Sequence, residues 1–161
     1  MIKLSRKITL NVNGKNYEVL CEAGENLRDV LREKLGFLGV KKGCDFGGCG
    51  ACTVIIDDNA VYSCMTWAYK AEGKKITTIE GLSSGRPLHP VQEAFIALSA
   101  SQCGYCTPGI VMSALALLNK NPKPSFEEIK EALAGNMCRC TGYVRYIKAI
   151  VNACKNLKKF E

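Results

Sequence analysis

The chain has 161 residues, 47% apolar and 23% charged, enough for one compact domain or two small ones, and it contains no stretch typical of a signal peptide or membrane span. Its formal charge of +7 is dispersed, with 12 basic and 10 acidic groups in residues 1–80 and 10 and 5 in residues 81–161, which argues against nucleic-acid binding. Ten cysteines in such a chain favour metal ligands or redox groups in the reducing cytoplasm over disulfides.

The first half of the chain has the pattern of strands and turns. Residues 8–12 alternate apolar and polar side chains, Asn13-Gly14 is a hairpin signal, and residues 17–20 form the predicted return strand. Apolar residues at helical spacing then predict a helix over 26–35. After a glycine-rich loop, further strands are expected over 53–56, 60–63 and 75–79, with Cys64 ending the second of them. These elements predict a small mixed sheet crossed by one helix.

The second half changes to helical spacing after a connecting loop predicted over 81–87. Four helices are expected: one starting at Pro90 with Val91, Ala94, Phe95 and Leu98 inward, one over 109–119 capped by Thr107, one from Ser125 to Ala134 with a capping box, and one capped by Thr141. The change of pattern divides the chain into two predicted domains, residues 1–80 and 81–161, the second a four-helix bundle.

A first set of four cysteines lies in the glycine-rich loop and just after it. Cys44, Cys49 and Cys52 follow a C-x4-C-x2-C spacing, and Cys64 comes twelve positions later. This is the plant-type ferredoxin spacing for a 2Fe–2S cluster, and it is a poor match to the paired C-x2-C hooks of zinc sites. The loop glycines permit sharp turns that aim backbone N–H groups at sulfur. The spacing therefore predicts an iron–sulfur site.

A second set of four cysteines has a spacing that is ambiguous by itself. Cys103 and Cys106 form one pair, and Cys138 and Cys140 form the other. Each pair precedes a predicted helix N-terminus, where free N–H groups and the helix dipole favour a negative centre. Zinc bound by four thiolates and an oxidised 2Fe–2S cluster carry the same net charge. The spacing alone therefore leaves both metals open.

Three motifs that contain these cysteines identify a family. The runs GCGACTV over 48–54, QCGYCTPG over 102–109 and CRCTGY over 138–143 closely resemble the iron–sulfur subunit of the molybdenum hydroxylases, the xanthine dehydrogenase, aldehyde oxidoreductase and carbon monoxide dehydrogenase type. The resemblance extends over nearly the whole chain, and no ligand position departs from the pattern. It implies that the second set also binds a 2Fe–2S cluster.

The resemblance also implies a fold and partners. The expected fold is α+β, with a plant-type ferredoxin (β-grasp) domain followed by a four-helix bundle, each holding one 2Fe–2S cluster. Molybdopterin is expected on a large subunit, contacted by Gln102 and lying near the backbone of Cys103 and Cys140, whereas FAD is expected on a medium subunit beside the first cluster. The complex is expected to be a heterotrimer, alone or as a dimer of heterotrimers, with substrate specificity on the large subunit.

Two other functions compete with that of an electron-transfer subunit. The chain could be a free-standing ferredoxin-like carrier, or an interaction module whose two small domains are held together by zinc. Red-brown colour and iron content distinguish the zinc module from the iron–sulfur proteins. Cys21 and Cys154 lie outside both sets and are expected to be ordinary thiols, while Phe46 is expected to be exposed on the flavin side.

Overall fold

The computed structural model describes residues 4–83 and 87–156, so residues 84–86 of the predicted connection lie outside the described part of the chain. Its first half is a five-stranded mixed sheet in the order β2-β1-β5-β3-β4. Strand β1 pairs antiparallel with β2 and parallel with β5, and β3 pairs antiparallel with both β4 and β5. The strands are β1 Ser5–Val12, β2 Lys15–Glu22, β3 Thr53–Ile56, β4 Asn59–Tyr62 and β5 Lys75–Thr77.

The predicted hairpin is present, and its strands are longer than the alternating apolar residues suggested. Val12 pairs with Lys15 across the turn, where Asn13 and Gly14 have φ values of 53° and 78°. Two successive positive φ angles are what a tight two-residue hairpin requires, and Asn-Gly adopts them at low cost. The strands extend to Ser5 and Glu22 because pairing continues through polar residues that leave no apolar signal.

The helix expected over 26–35 is present in an altered form. Helix α1, Leu27–Asp29, continues directly as a π-helical turn, Val30–Lys34. In this turn the N–H of Leu35 donates to the Val30 carbonyl five residues earlier, at 3.0 Å. Leu27, Val30 and Leu31 are nonetheless fully buried in the core under the sheet, and Leu35 is half-buried against it, so the predicted packing face is confirmed.

The second half contains four helices that pack around one apolar core, namely α2 Pro90–Ala97, α3 Thr107–Lys120, α4 Phe126–Leu133 and α5 Tyr143–Asn156. Val91, Ala94 and Phe95 are buried as predicted, but Leu98 is exposed because α2 ends at Ala97. Helix α3 is buried on nearly every side. Within residues 4–83 and 87–156, no helix is long and apolar enough to cross a membrane.

Helix α3 also joins the two halves. One face of the helix packs in the helical core, and the opposite face packs through Met112, Leu115 and Ala116 against Ile55 of β3. This contact explains why α3 is apolar all round. The two halves therefore share a packed boundary.

The helix starts predicted at Pro90 and after Ser125 are confirmed, whereas the caps predicted at Thr107 and Thr141 are wrong. Ser125 forms the expected capping box with Glu128, whose backbone N–H donates to the serine hydroxyl at 3.2 Å. Thr107 is the first residue of α3 and does not cap it, because Cys106 occupies the preceding position. Thr141 lies two residues before α5 in left-handed backbone, at φ 59°.

Candidate metal centres

The structure brings together the four thiols of the first set. Cys44, Cys49 and Cys52 lie in the loop between α1 and β3, and Cys64 lies in the 3-10 turn Ser63–Met65 that follows β4. The prediction that Cys64 ends a strand is therefore wrong, because β4 ends at Tyr62 and Cys64 lies in the turn that follows it. Pairing of β3 with β4 places Cys64 beside Cys52, with whose thiol it interacts, and the thiol of Cys44 interacts with that of Cys49.

The loop around this set is shaped to approach sulfur closely. The backbone N–H of Gly48 donates to the sulfur of Cys44 at 3.2 Å. Gly47 adopts φ 78°, a left-handed conformation that glycine tolerates without strain. A Cβ atom at Gly43 would lie 2.6 Å from the Cys49 sulfur, so only glycine fits there. The glycines thus provide the close backbone approach that the sequence suggested.

The electrostatic environment differs from one thiol to the next. Burial acts to raise the pKa of Cys44, yet hydrogen bonds from the backbone of Phe46 and Gly48 and from the Cys49 thiol lower it to about 7. Burial and the neighbouring Cys52 raise the pKa of Cys64 to about 11. Amides that stabilise one thiolate would also stabilise the negative charge of a metal cluster.

The second set is assembled from two loops of the helical half. Cys103 and Cys106 lie between α2 and α3, and Cys138 and Cys140 lie between α4 and α5. The thiol of Cys103 interacts with that of Cys140, and the thiol of Cys106 with that of Cys138. Cys106 and Cys138 are buried, whereas Cys103 is exposed and Cys140 is half-buried. The set therefore has an inner pair and an outer pair.

A buried tyrosine that sequence reasoning missed lies against the inner pair. The hydroxyl oxygen of Tyr146 is 3.1 Å from the sulfur of Cys138 and 3.3 Å from that of Cys106. Tyr146 is on the first turn of α5, four residues after Gly142, so it returns to the loop that carries Cys138. Its place one helical turn after the CRCTG run is the only sequence signal.

Gln102, which the resemblance associates with the pterin, lies against the outer pair of the second set. Gln102 is exposed, and its Nε2 donates to the backbone carbonyl of Cys140 at 2.9 Å. Gln102, Cys103 and Cys140 therefore lie together at the solvent-facing side of the second set. Phe46 of the first loop is 75% exposed, as expected.

Direct hydrogen bonds join the loops of the two sets. The backbone N–H of Met137 donates to the carbonyl of Cys49 at 2.9 Å, and the Asn136 side chain donates to the Gly50 carbonyl at 3.1 Å. Met137 immediately precedes Cys138. A single hydrogen bond therefore connects Cys49 of the first set to the residue next to Cys138 of the second set. Sequence reasoning did not find this connection.

Replacing Gly109 by Ala should destabilise this junction. Gly109 lies on the first turn of α3, and a Cβ atom there would overlap the backbone carbonyl oxygen of Gly50. We expect a loss of about 1–3 kcal/mol in the free energy of unfolding, as is usual for overpacking, despite the better helix propensity of alanine. Urea unfolding of the cluster-loaded protein measures this loss.

The matched control is Asn119→Ala at the exposed end of the same helix, which should leave the stability within about 0.5 kcal/mol of the wild-type value. A Gly109→Ala protein as stable as this control would contradict the close contact.

The two sets fit clusters of iron and sulfide by their donor chemistry. Each set supplies four soft thiolate ligands, and the first also supplies a backbone N–H aimed at sulfur. Among the residues that the structure describes, no three His, Cys, Asp or Glu side chains converge as a site for a single metal ion.

Comparison with known families matches both halves of the chain. Residues 10–79 match the 2Fe-2S iron-sulfur cluster binding domain, and residues 78–151 match the 2Fe-2S binding domain that is distinct from it. Both families are defined by the same kind of cluster. The chain therefore contains two 2Fe–2S binding domains in one α+β fold.

Individual proteins similar to the chain are small iron–sulfur subunits. The nicotine 6-hydroxylase small subunit of Paenarthrobacter nicotinovorans is 48% identical over 91% of this chain and 88% of its own length. The nicotinate dehydrogenase small FeS subunit of Eubacterium barkeri is 44% identical over 92% of this chain and 97% of its own.

A solved structure has the same fold over the whole chain. A chain of quinoline 2-oxidoreductase from Pseudomonas putida 86 superimposes with a TM-score of 0.91 at 41% identity, covering 96% of this chain and 97% of that one. These matches extend over both cysteine sets and the helices between them. The chain belongs to the family of iron–sulfur subunits that transfer electrons in the molybdenum hydroxylases.

Proposed function

We propose that each of the two cysteine sets holds one 2Fe–2S cluster in this electron-transfer subunit. The observation that carries the proposal is the convergence of four thiols in each set, in two halves that each match a 2Fe–2S family. The ligands are Cys44, Cys49, Cys52 and Cys64 for the first cluster, and Cys103, Cys106, Cys138 and Cys140 for the second.

When bound, the clusters supply one-electron redox chemistry between the molybdenum centre of a large subunit and the FAD of another subunit. The residues of this chain support a route for that transfer. The outer pair of the second set faces solvent, where a large subunit can approach, and the inner pair lies toward the first set through Met137 and Cys49. Phe46 marks the exposed side of the first set, which we assign to the flavin subunit.

Gln102 is the proposed contact to molybdopterin. Its amide nitrogen is fixed on the Cys140 carbonyl, so the orientation of the side chain is set before a partner binds. A side-chain amide also carries an acceptor oxygen, which can receive an N–H of a pterin ring. The exposed Cys103 and the half-buried Cys140 complete this contact surface.

The remaining parts of the proposal concern organisation. We assign residues 1–80 to the ferredoxin-like domain and residues 81–161 to a four-helix bundle. The two apolar cores, one under the sheet and one among α2 to α5, support this division. The partners are a large molybdopterin-binding subunit and a medium FAD-binding subunit in a cytoplasmic heterotrimer.

Purification through a tag on this chain tests the assembly. We expect two larger polypeptides to copurify, with molybdopterin released from one and FAD from the other. A chain that purifies alone and remains competent to transfer electrons would favour a free-standing ferredoxin-like carrier instead.

A further inference from the structure

We propose that the hydroxyl of Tyr146 donates a hydrogen bond to the sulfur ligands of the second cluster and thereby raises its reduction potential above that set by the cysteines alone. Tyr146 is a positioning residue, since it acts through Cys106 and Cys138 and does not touch a reacting atom of substrate. The inference rests on the proposed second cluster. It adds a residue outside the three cysteine motifs to the control of that cluster.

The position of the hydroxyl is tightly fixed. Tyr146 is only 1% exposed, and its ring stacks on Phe95 with centroids 5.6 Å apart and planes 9° apart. Gly142 packs so closely against the hydroxyl end of the ring that a Cβ atom there would lie 2.6 Å from the tyrosine Cζ. The ring therefore cannot rotate or withdraw without opening the helical core.

The chemistry of a cluster-bound cysteine makes the hydroxyl the donor. A cysteine bound to iron is a thiolate with no proton, so it can only accept a hydrogen bond. The single hydroxyl proton of Tyr146 is then shared between two sulfurs, with the nearer acceptor Cys138 at 3.1 Å and Cys106 at 3.3 Å. A phenol is an O–H donor at neutral pH, so the Tyr146 hydroxyl has this proton to donate.

The direction of the effect follows from charge. One-electron reduction adds a negative charge that is partly carried by the cysteine sulfurs, and a donor aimed at these sulfurs stabilises the reduced form more than the oxidised form. The interaction takes place away from water, where a charge-assisted hydrogen bond is stronger than at the surface. Removing the hydroxyl should therefore favour the oxidised cluster.

A redox titration of the complex, followed by electron paramagnetic resonance (EPR), tests the proposal with Tyr146→Phe, which keeps the ring and its stacking. We expect the redox equilibrium of the second cluster to shift about tenfold toward the oxidised form, a fall of about 59 mV for a one-electron couple. The midpoint of the first cluster should not change. An unchanged second midpoint, or an equal shift of both clusters, would overturn the proposal.

The matched control is Tyr62→Phe. The Tyr62 hydroxyl also bridges two segments of the chain that are distant in sequence, but it donates to the Gly135 carbonyl at 2.9 Å instead of to sulfur. We expect this variant to retain the wild-type potential of the second cluster. A shift as large as that of Tyr146→Phe would mean that the effect comes from packing and would count against the proposal.

A second variant tests the proposal if the Tyr146→Phe protein does not bind the second cluster. Site-specific fluorination of the Tyr146 ring preserves its shape and makes the hydroxyl a stronger donor, so the second midpoint should rise. No rise in the loaded protein would overturn the proposal. Absence of a second EPR signal in the wild-type complex would instead contradict the proposed function, so the two failures are distinguishable.

Discussion

Replacing Cys138 by Ser should abolish the second cluster and leave the first, lowering the iron content from about four to about two atoms per chain. Cys138 is buried and lies in the inner pair of its set, between the helical core and the loop of the first set. A serine hydroxyl is a much poorer ligand for iron than a thiolate. We expect one of the two EPR signals to disappear and electron transfer from the large subunit to stop.

Cys154→Ser provides the matched control for this loss. Cys154 lies outside both sets on α5, where its thiol donates to the Ile150 carbonyl at 3.1 Å, a bond that serine can also make. Iron content and both signals should be unchanged. Four irons retained in Cys138→Ser, or two irons lost in Cys154→Ser, would contradict the assignment of ligands.

Arg28→Met should loosen the first cysteine loop. The Arg28 guanidinium is 3% exposed and binds both Asp29, with Nη2 at 2.6 Å, and Asp45, which follows Cys44 in the loop. We expect a loss of about 2–3 kcal/mol in the free energy of unfolding, the strength of hydrogen bonds between charged groups. This loss of unfolding free energy is smaller than the loss expected when a fully buried ion pair is broken, because both carboxylates remain accessible to water.

This variant should also lose its first cluster faster. Asp45 adopts left-handed backbone at φ 65°, and the ion pair with Arg28 helps to hold that conformation beside Cys44. The rate at which an iron chelator bleaches the first cluster measures the effect, and the second cluster is the internal reference. Arg6→Met, which breaks an exposed pair with Glu72, should change neither rate. Equal bleaching of both clusters in Arg28→Met would contradict a local role.

The Asp45 pair also predicts a pH dependence. Although desolvation acts to raise it, hydrogen bonds from Lys42 and Arg28 lower the pKa of Asp45 below its usual value. The contribution of this carboxylate to stability is therefore present above the pKa it has in the unfolded chain and is lost as the pH falls through its pKa in the folded protein. Bleaching of the first cluster should accelerate on acidification in the wild type more than in Arg28→Met.

Features set by neighbouring residues could be predicted from the sequence. The Asn13-Gly14 turn depends only on the φ and ψ angles of these two residues. The capping box at Ser125 depends only on the four residues that it spans. Cysteine spacing likewise indicated that Cys44 and Cys49 lie together, because both are in the same glycine-rich loop. In such cases local chemistry decides the outcome.

Features that depend on packing between distant segments could not be predicted. Asn136 bonds to Gly50 and Arg28 to Asp45 across the fold, and no periodicity in the sequence relates these positions. The two wrong caps have a different origin: Cys106 holds the cap position before Thr107, and Thr141 adopts left-handed backbone two residues before α5. Tyr146 had the helical spacing of a core residue, and only the assembled helices reveal what its hydroxyl contacts.

The most direct measurement combines metal analysis with EPR of the dithionite-reduced protein. Two 2Fe–2S clusters predict a red-brown protein with about four irons per chain that bleaches on reduction, and two distinct signals that each integrate to about one spin. A colourless protein that contains two zinc ions and gives no signal on reduction would contradict the assignment of both sites.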